Sequence, residues 1–375
     1  MEHGDCGIRR RRPGPDPLTR VPQFRMFRIM RNTSISGTEM RQAIGGLRRR
    51  LPPGWVVSEI EARPAPTLRL TGPDARSADL AVVARRSLAP RDVHSALAAA
   101  TGPSLIVAPY LGERTRELIA DGGASYADAT GNLRVVVSQP AIFLEGIGAD
   151  RDPDRAARPL HSLRGAAAGR VIRALVELEL PLGVRALATA SATSLGTASR
   201  VVAFLESEAL LTRDLQARVV VVERAALLMR WSRDYALTRS NELHTYLEPR
   251  GLPSLWAKLE RLPRYAATGS TAGPGIAATR IAMLYVDDPD VAAQTLGLVA
   301  AEAGANVWLL RPFDDVVFAR TRQRKVGTDA AAADVVVVAT AQAIVDLASA
   351  PGRGPQESEA MLAQLMEVGH VPERE

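Results

Sequence analysis

The chain has 375 residues, 46% of them hydrophobic, a formal net charge of +6 and a single cysteine, Cys6. That length suits two or three domains, each able to bury a core. One cysteine excludes a disulfide framework or a cysteine-based metal site. No apolar run nears the ~20 residues of a membrane span, and no apolar stretch follows the N-terminal arginines as in a secretory signal. The expected location is cytoplasmic, in association with the nucleoid, with no membrane partner.

The charge is uneven. Residues 1–50 carry twelve arginines against Glu2, Asp5, Asp16 and Glu39, and so hold +8, leaving −2 for the rest. Residues 1–33, which include "RRRRPGPDP", read as a disordered basic tail. The only lysines are Lys258 and Lys325, and no glycine-rich loop precedes Lys-Ser or Lys-Thr, so a P-loop is excluded.

Residues 34–147 read as an α/β domain. "SGTEMRQAIGGLRRRL" is helical, with Ser36 or Thr38 as N-cap. Strands are expected at "WVVSEIEA", "TLRLTG", "DLAVVARR" and "SLIVAPY", helices near Ser95–Ala100 and over "ERTRELIADGG", and a last strand pair within "ASYADATGNLRVVV". This order is reminiscent of restriction-endonuclease-like folds. Glu59 or Glu61, with Asp79, are the acids such a nuclease would use to hold metal. Where a base lysine would follow, Ala84 and Arg86 stand, and arginine cannot act as a base. An inactive scaffold is therefore expected. The turn Tyr126-x-Asp128-x-x-Gly131-Asn132 reads as structural, with Asp128 capping it.

"GADRDPDRAARPLHS", residues 148–162, is charged and broken by prolines, and reads as a linker. Residues 163–237 then follow a winged helix-turn-helix order. A helix buries Ala168, Val171, Ile172, Leu175 and Leu178. A break at Pro181 and Gly183 leads to a short helix packing Val184, Leu187 and Ala188. After a polar turn, Ser194 caps a third helix that buries Leu195, Ala198, Val201, Val202 and Leu205. "ALLTRD" and "ARVVVVE" form the hairpin.

The outward positions of the third helix point to double-stranded DNA. Thr193, Ser194, Thr197, Ser199 and Arg200 crowd its N-terminal half, the part a recognition helix presents to base edges. Arginine bonds guanine bidentately, and Ser and Thr reach bases or phosphates. Arg213 and Arg218 flank the wing turn as phosphate grips, and Glu206 and Glu208 are expected to point away from the duplex.

Residues 238–375 mix helix and strand. Gly269-Ser270 followed by Asp287 and Asp288 is like a nucleotidyltransferase phosphate turn and metal strand. Adjacent strand residues face opposite ways, however, so this body reads as a degenerate, inactive relative of that fold. Trp231 and Tyr235 are expected to pack the winged helix onto it. His94, His161 and His244 are isolated, and the chain has no HExxH, GxSxG or GxGxxG motif. No catalytic residue, cofactor or metal is expected.

"LLMRWSRDYALTRSN", "YLEPRGL", "RYAATGSTAG", "YVDDP", "GANVWLLRPFDDVVF" and "VDLASAPGRGPQESEAML", with "LIVAPYLGERTRELIADGGASYADATGNLRV" before them, resemble actinobacterial transcriptional regulators of the AbiEi antitoxin type. The resemblance spans roughly residues 75–368. It implies a DNA-binding autorepressor. It also implies an alternative, a type IV antitoxin that neutralises a nucleotidyltransferase-like toxin through its C-terminal domain and binds DNA only for autoregulation. A cognate toxin and a second copy of the chain are the partners this leaves open beside DNA. The fold class expected throughout is multidomain α+β or α/β.

Overall fold

The computed structural model describes residues 35–60, 66–100, 102–153, 162–273, 280–327 and 332–367. The basic tail, Glu61, His161 and most of the expected linker lie outside these. The chain is mixed α/β and divides into two compact units, residues 1–154 and 155–375. Among the described residues no helix is long and apolar enough to cross a membrane.

The first unit is a seven-stranded sheet whose strands lie in chain order: β1 (Val56–Ile60), β2 (Thr67–Thr71), β3 (Ser77–Ala84), β4 (Ser104–Ala108), β5 (Ser125–Asp128), β6 (Leu133–Ser138) and β7 (Ala141–Gly146). β3, β4 and β5 run parallel, and the outer pairs are antiparallel. Parallel neighbours require crossover helices, which cover one face, while the helix before β1 covers the other. Helix α1 (Gly37–Arg50) packs Ala43, Ile44 and Leu47 onto Leu68, Leu80, Leu105 and Val107. Its start is fixed by the capping box of Ser36 and Glu39. On the other face, α2 (Val93–Ala98) and α3 (Glu113–Asp121) bring Val93 and Ile119 against Ile106 and Ala108. β4 is buried throughout because both its faces are covered.

The second unit opens with three helices, α4 (Ala166–Glu177), α5 (Val184–Ala190) and α6 (Leu195–Ser207), and a two-stranded ribbon, β8 (Leu211–Arg213) and β9 (Val219–Val222). Leu182, between α4 and α5, adds a reciprocal single-residue backbone bridge to Val219 and so ties the chain before α5 to the ribbon. Helices α7 (Arg224–Asp234) and α8 (Leu237–Ser240) lead into the second sheet, whose order is β13-β10-β14-β12-β11-β16-β15. Its strands are β10 (Glu242–Leu247), β11 (Tyr265–Thr268), β12 (Ala282–Val286), β13 (Val299–Ala300), β14 (Val307–Arg311), β15 (Arg322–Val326) and β16 (Ala333–Val337). Helices α9 (Leu252–Trp256), α10 (Pro289–Leu296), α11 (Thr340–Ala348) and α12 (Gly354–Glu367) complete it.

Residues 163–237 and 238–367 share a single hydrophobic core running from Leu163 to Met361. Trp231 and Tyr235 stack with ring centroids 5.4 Å apart, and Tyr235 meets Phe313 at 5.2 Å. Gly169 lets α4 approach this cluster, since a Cβ there would lie 3.2 Å from Trp231. The packing role expected for Trp231 and Tyr235 is what the geometry shows.

Two polar groups lie inside the joint. Arg173 of α4, 1% exposed, donates to the carbonyls of Val316 (3.1 Å) and Ala319 (2.9 Å) and to Gln342 Oε1 (3.1 Å), and pairs with Glu177. Asp346 of α11, fully buried, accepts hydrogen bonds from Tyr235 (2.8 Å), Tyr285 (3.0 Å), Thr268 (2.5 Å) and Gln342 (2.9 Å). Burial outweighs these donors and pushes its carboxyl up to about 6.

Candidate nucleic-acid interface

The turn between α5 and α6 is built by its own small polar residues. Ser191 is buried and donates to the Leu187 carbonyl at 2.7 Å, and Ala192 takes a left-handed φ of 46°. Thr193 turns inward and shares a 2.9 Å hydrogen bond with Ser191. Ser194 then accepts from the Thr197 amide at 3.1 Å and starts α6.

From that cap a short chain of side chains runs outward. The Ser194 hydroxyl donates to Thr197 Oγ1 at 2.9 Å, and Arg200 Nη2 donates to the same oxygen at 3.4 Å. Thr197 is half-buried and holds Arg200, while Arg200 and Ser199 are exposed. The exposed residues of α6 are Leu195, Gly196, Ser199, Arg200 and Ala203, and none is acidic. Leu195, expected in the core, is instead 49% exposed. It is the first residue of the helix, at the margin of the apolar arc, and Ala198, Val201, Val202 and Leu205, with the partly buried Phe204, fill the inner face.

Both wing arginines, expected as phosphate grips, are paired with acids. Arg213 Nε donates to Glu206 Oε1 at 3.0 Å, and the bond to Glu206 raises the arginine above its ordinary value. Glu206 therefore faces the ribbon and not open solvent. A register shift between Thr212 and Arg213 accompanies this pairing. Arg218 Nε donates to Asp214 Oδ2 at 2.8 Å, and Asp214 also accepts from the Arg218 and Gln216 amides, which hold its carboxyl low. Arg218 remains half-exposed; Arg213 is less so. The wing tip carries Leu215 at 101% exposure. Arg185, exposed on α5, adds a cation that the sequence reading passed over. The pattern around it, with Leu187 and Ala188 buried, would have marked it as outward.

The residues weighed for catalysis have other partners. Glu59 is level with Leu68 and Leu80 across β1, β2 and β3, whereas Asp79 is level with Arg69 and Ser58, so the two acids occupy opposite faces. Asp79 holds Arg69 bidentately at 2.7 and 2.8 Å, and Arg48 reaches Glu59 at 3.4 Å. Gly269 has φ 67°, but Ser270 donates to Glu357. Asp287 binds Arg264, while Asp288 caps α10 through the amides of Asp290 (3.0 Å) and Val291 (3.1 Å). Asp128 Oδ1 accepts from the amides of Thr130, Gly131 and Asn132 between 2.9 and 3.0 Å, as expected for a structural turn. His244 contacts Glu242 at 2.9 Å. Among the described residues no three His, Cys, Asp or Glu side chains are grouped as metal ligands would be. An open hollow of about 450 Å³ beside Trp55 and Pro140 carries Asp74 and Arg76, which pair with each other at 3.6 Å.

Comparison of the chain with protein-family models, curated proteins and solved structures yields no match. The surface of residues 182–222 therefore has to be read from its own chemistry: a capped helix N-terminus with the exposed Arg200 hydrogen-bonded to Thr197, and the exposed Arg185 and Arg218 on α5 and the wing.

Proposed function

We propose that the protein is a sequence-specific double-stranded DNA-binding transcriptional regulator, a repressor of its own promoter in the manner of AbiEi-type regulators. In this reading residues 163–237 are a winged helix-turn-helix, with α6 in the major groove and β8 and β9 as the wing. The observation that carries it is the Ser194–Thr197–Arg200 chain at the capped, acid-free start of α6. A helix N-terminus favours phosphate, and an exposed arginine held one turn further on is positioned for the O6 and N7 of guanine. The order helix, backbone bridge, helix, helix, ribbon supports the same reading.

The roles of the arginines follow from their partners. Arg200 takes a base, Arg185 and Arg218 take phosphates, and Arg213 braces the wing against α6. The flanking bodies, restriction-endonuclease-like and nucleotidyltransferase-like in this reading, act as scaffolds and not as enzymes.

The test is genomic footprinting with the full chain, followed by titration of the selected sequence across a salt series. Binding should weaken with salt by roughly 0.9 log units per log unit for each phosphate contact. Arg200→Ala should relax preference at one base pair, at a cost of about 1–3 kcal/mol. Arg218→Ala should weaken all sequences alike and flatten the salt slope by about one. Absence of sequence selection by the full chain would remove the proposal.

A further inference from the structure

We infer, building on the DNA-binding reading above, that Leu195 is a second base reader: it recognises the C5 methyl of a thymine about two base pairs from the guanine taken by Arg200.

The inference starts from what α6 can offer a groove. Its exposed side chains are Leu195, Ser199, Arg200 and Ala203, with Gly196 contributing none. Thr193, half-buried, shares its hydroxyl bond with Ser191, and the half-buried Thr197 oxygen accepts from Ser194 and Arg200. Arg200 is thus the one long hydrogen-bonding group on the face, and Ser199 accepts any base. A single guanine contact discriminates at a single base pair. Specific regulators exceed their own non-specific binding by about a thousandfold or more. Apolar contact is one further source of discrimination that α6 itself can supply.

In the major groove one base feature is read by apolar contact, the thymine methyl. Leu195 is the large apolar group in position to do so. It is 49% exposed at the first position of the helix, although the core side of α6 is closed by Ala198, Val201, Val202 and Leu205. Gly196 beside it has open space where a Cβ would stand, so no neighbouring side chain there holds a base away. Five residues separate Leu195 from Arg200, a rise of about 7.5 Å at 1.5 Å per residue. With base pairs about 3.4 Å apart, that spans about two steps.

The experiment replaces each thymine of the selected operator by deoxyuridine, which deletes the methyl and nothing else. The full chain, Leu195→Ala and Leu195→Met are titrated against each duplex, with melting curves as folding controls. The wild type should lose about fourfold at one position, the worth of one methyl withdrawn from contact. Leu195→Ala should bind the thymine and uracil duplexes equally while keeping its guanine requirement and salt slope. Leu195→Met, which retains reach and apolarity, should keep the penalty. Wild-type indifference to every replacement overturns the inference while leaving the DNA-binding reading intact. So does a Leu195→Ala chain that still senses the methyl. No selective DNA binding at all removes both.

Discussion

Asp346 shows how one residue can set a pH dependence far from any surface. Its carboxyl is fully buried, and burial raises it to about 6 from an ordinary value near 4. Tyr235 and Tyr285 are pushed well above their ordinary range, chiefly by burial, so both remain hydroxyl donors to it. A carboxyl raised on folding binds its proton more tightly in the native state than in the unfolded chain. Stability from this group is therefore greatest at and below about pH 4 and falls as pH rises to about 6, after which the cost stays constant. The full swing is about 3 kcal/mol at 1.36 kcal/mol per pH unit. Asp346→Asn has no proton to lose. The melting temperature of wild type relative to Asp346→Asn should therefore be higher at pH 5 than at pH 7.5. A gap that stays constant over that interval would show that Asp346 does not titrate there.

Among the elements, α4 is the hinge pin of the second unit. Arg173 supplies the guanidinium that satisfies Val316, Ala319 and Gln342 at once, and Glu177 neutralises it. Truncation leaves Glu177 and two carbonyls without that partner in a closed space. Arg173→Ala should cost about 3–5 kcal/mol in a denaturant titration, against little for the exposed Arg164→Ala. What the sequence disclosed at this scale follows from range. The caps at Ser36 and Ser194 need only residues three positions on, and both were legible. β7 was legible too, since Ile142 and Leu144 alternate with outward Phe143 and Glu145, but it fell between the expected strands and the expected linker. Leu195 lies at the margin of an apolar arc, where periodicity does not separate inside from outside. The Glu206–Arg213 pair joins α6 to the ribbon beside a shift in ribbon register, which no spacing rule contains.

At the scale of the molecule, residues 163–237 share one hydrophobic core with the body that follows, through the Trp231 and Tyr235 contacts expected from the sequence. Tyr235 meets Tyr285 and Asp346 across 50 and 111 positions, a range at which local pattern carries no information. A fragment of residues 163–237 leaves Trp231 and Tyr235 uncovered. It should show no cooperative melting and a solvent-exposed Trp231 emission, while a chain starting at residue 155 should melt in one transition. A sharp transition in the short fragment would show that its own core suffices. The two strand orders also dictate when each unit can be finished during synthesis. In the first sheet each strand pairs with the one made just before it, so the sheet can assemble as it leaves the ribosome. In the second, β10 waits for β14 and β11 waits for β16. The three helices from Ala166 to Ser207 emerge in mid-synthesis, yet their seat is built from the last quarter of the chain. A nascent protein therefore carries a complete first sheet and an incomplete second unit, whose core closes only when α12 has delivered Met361.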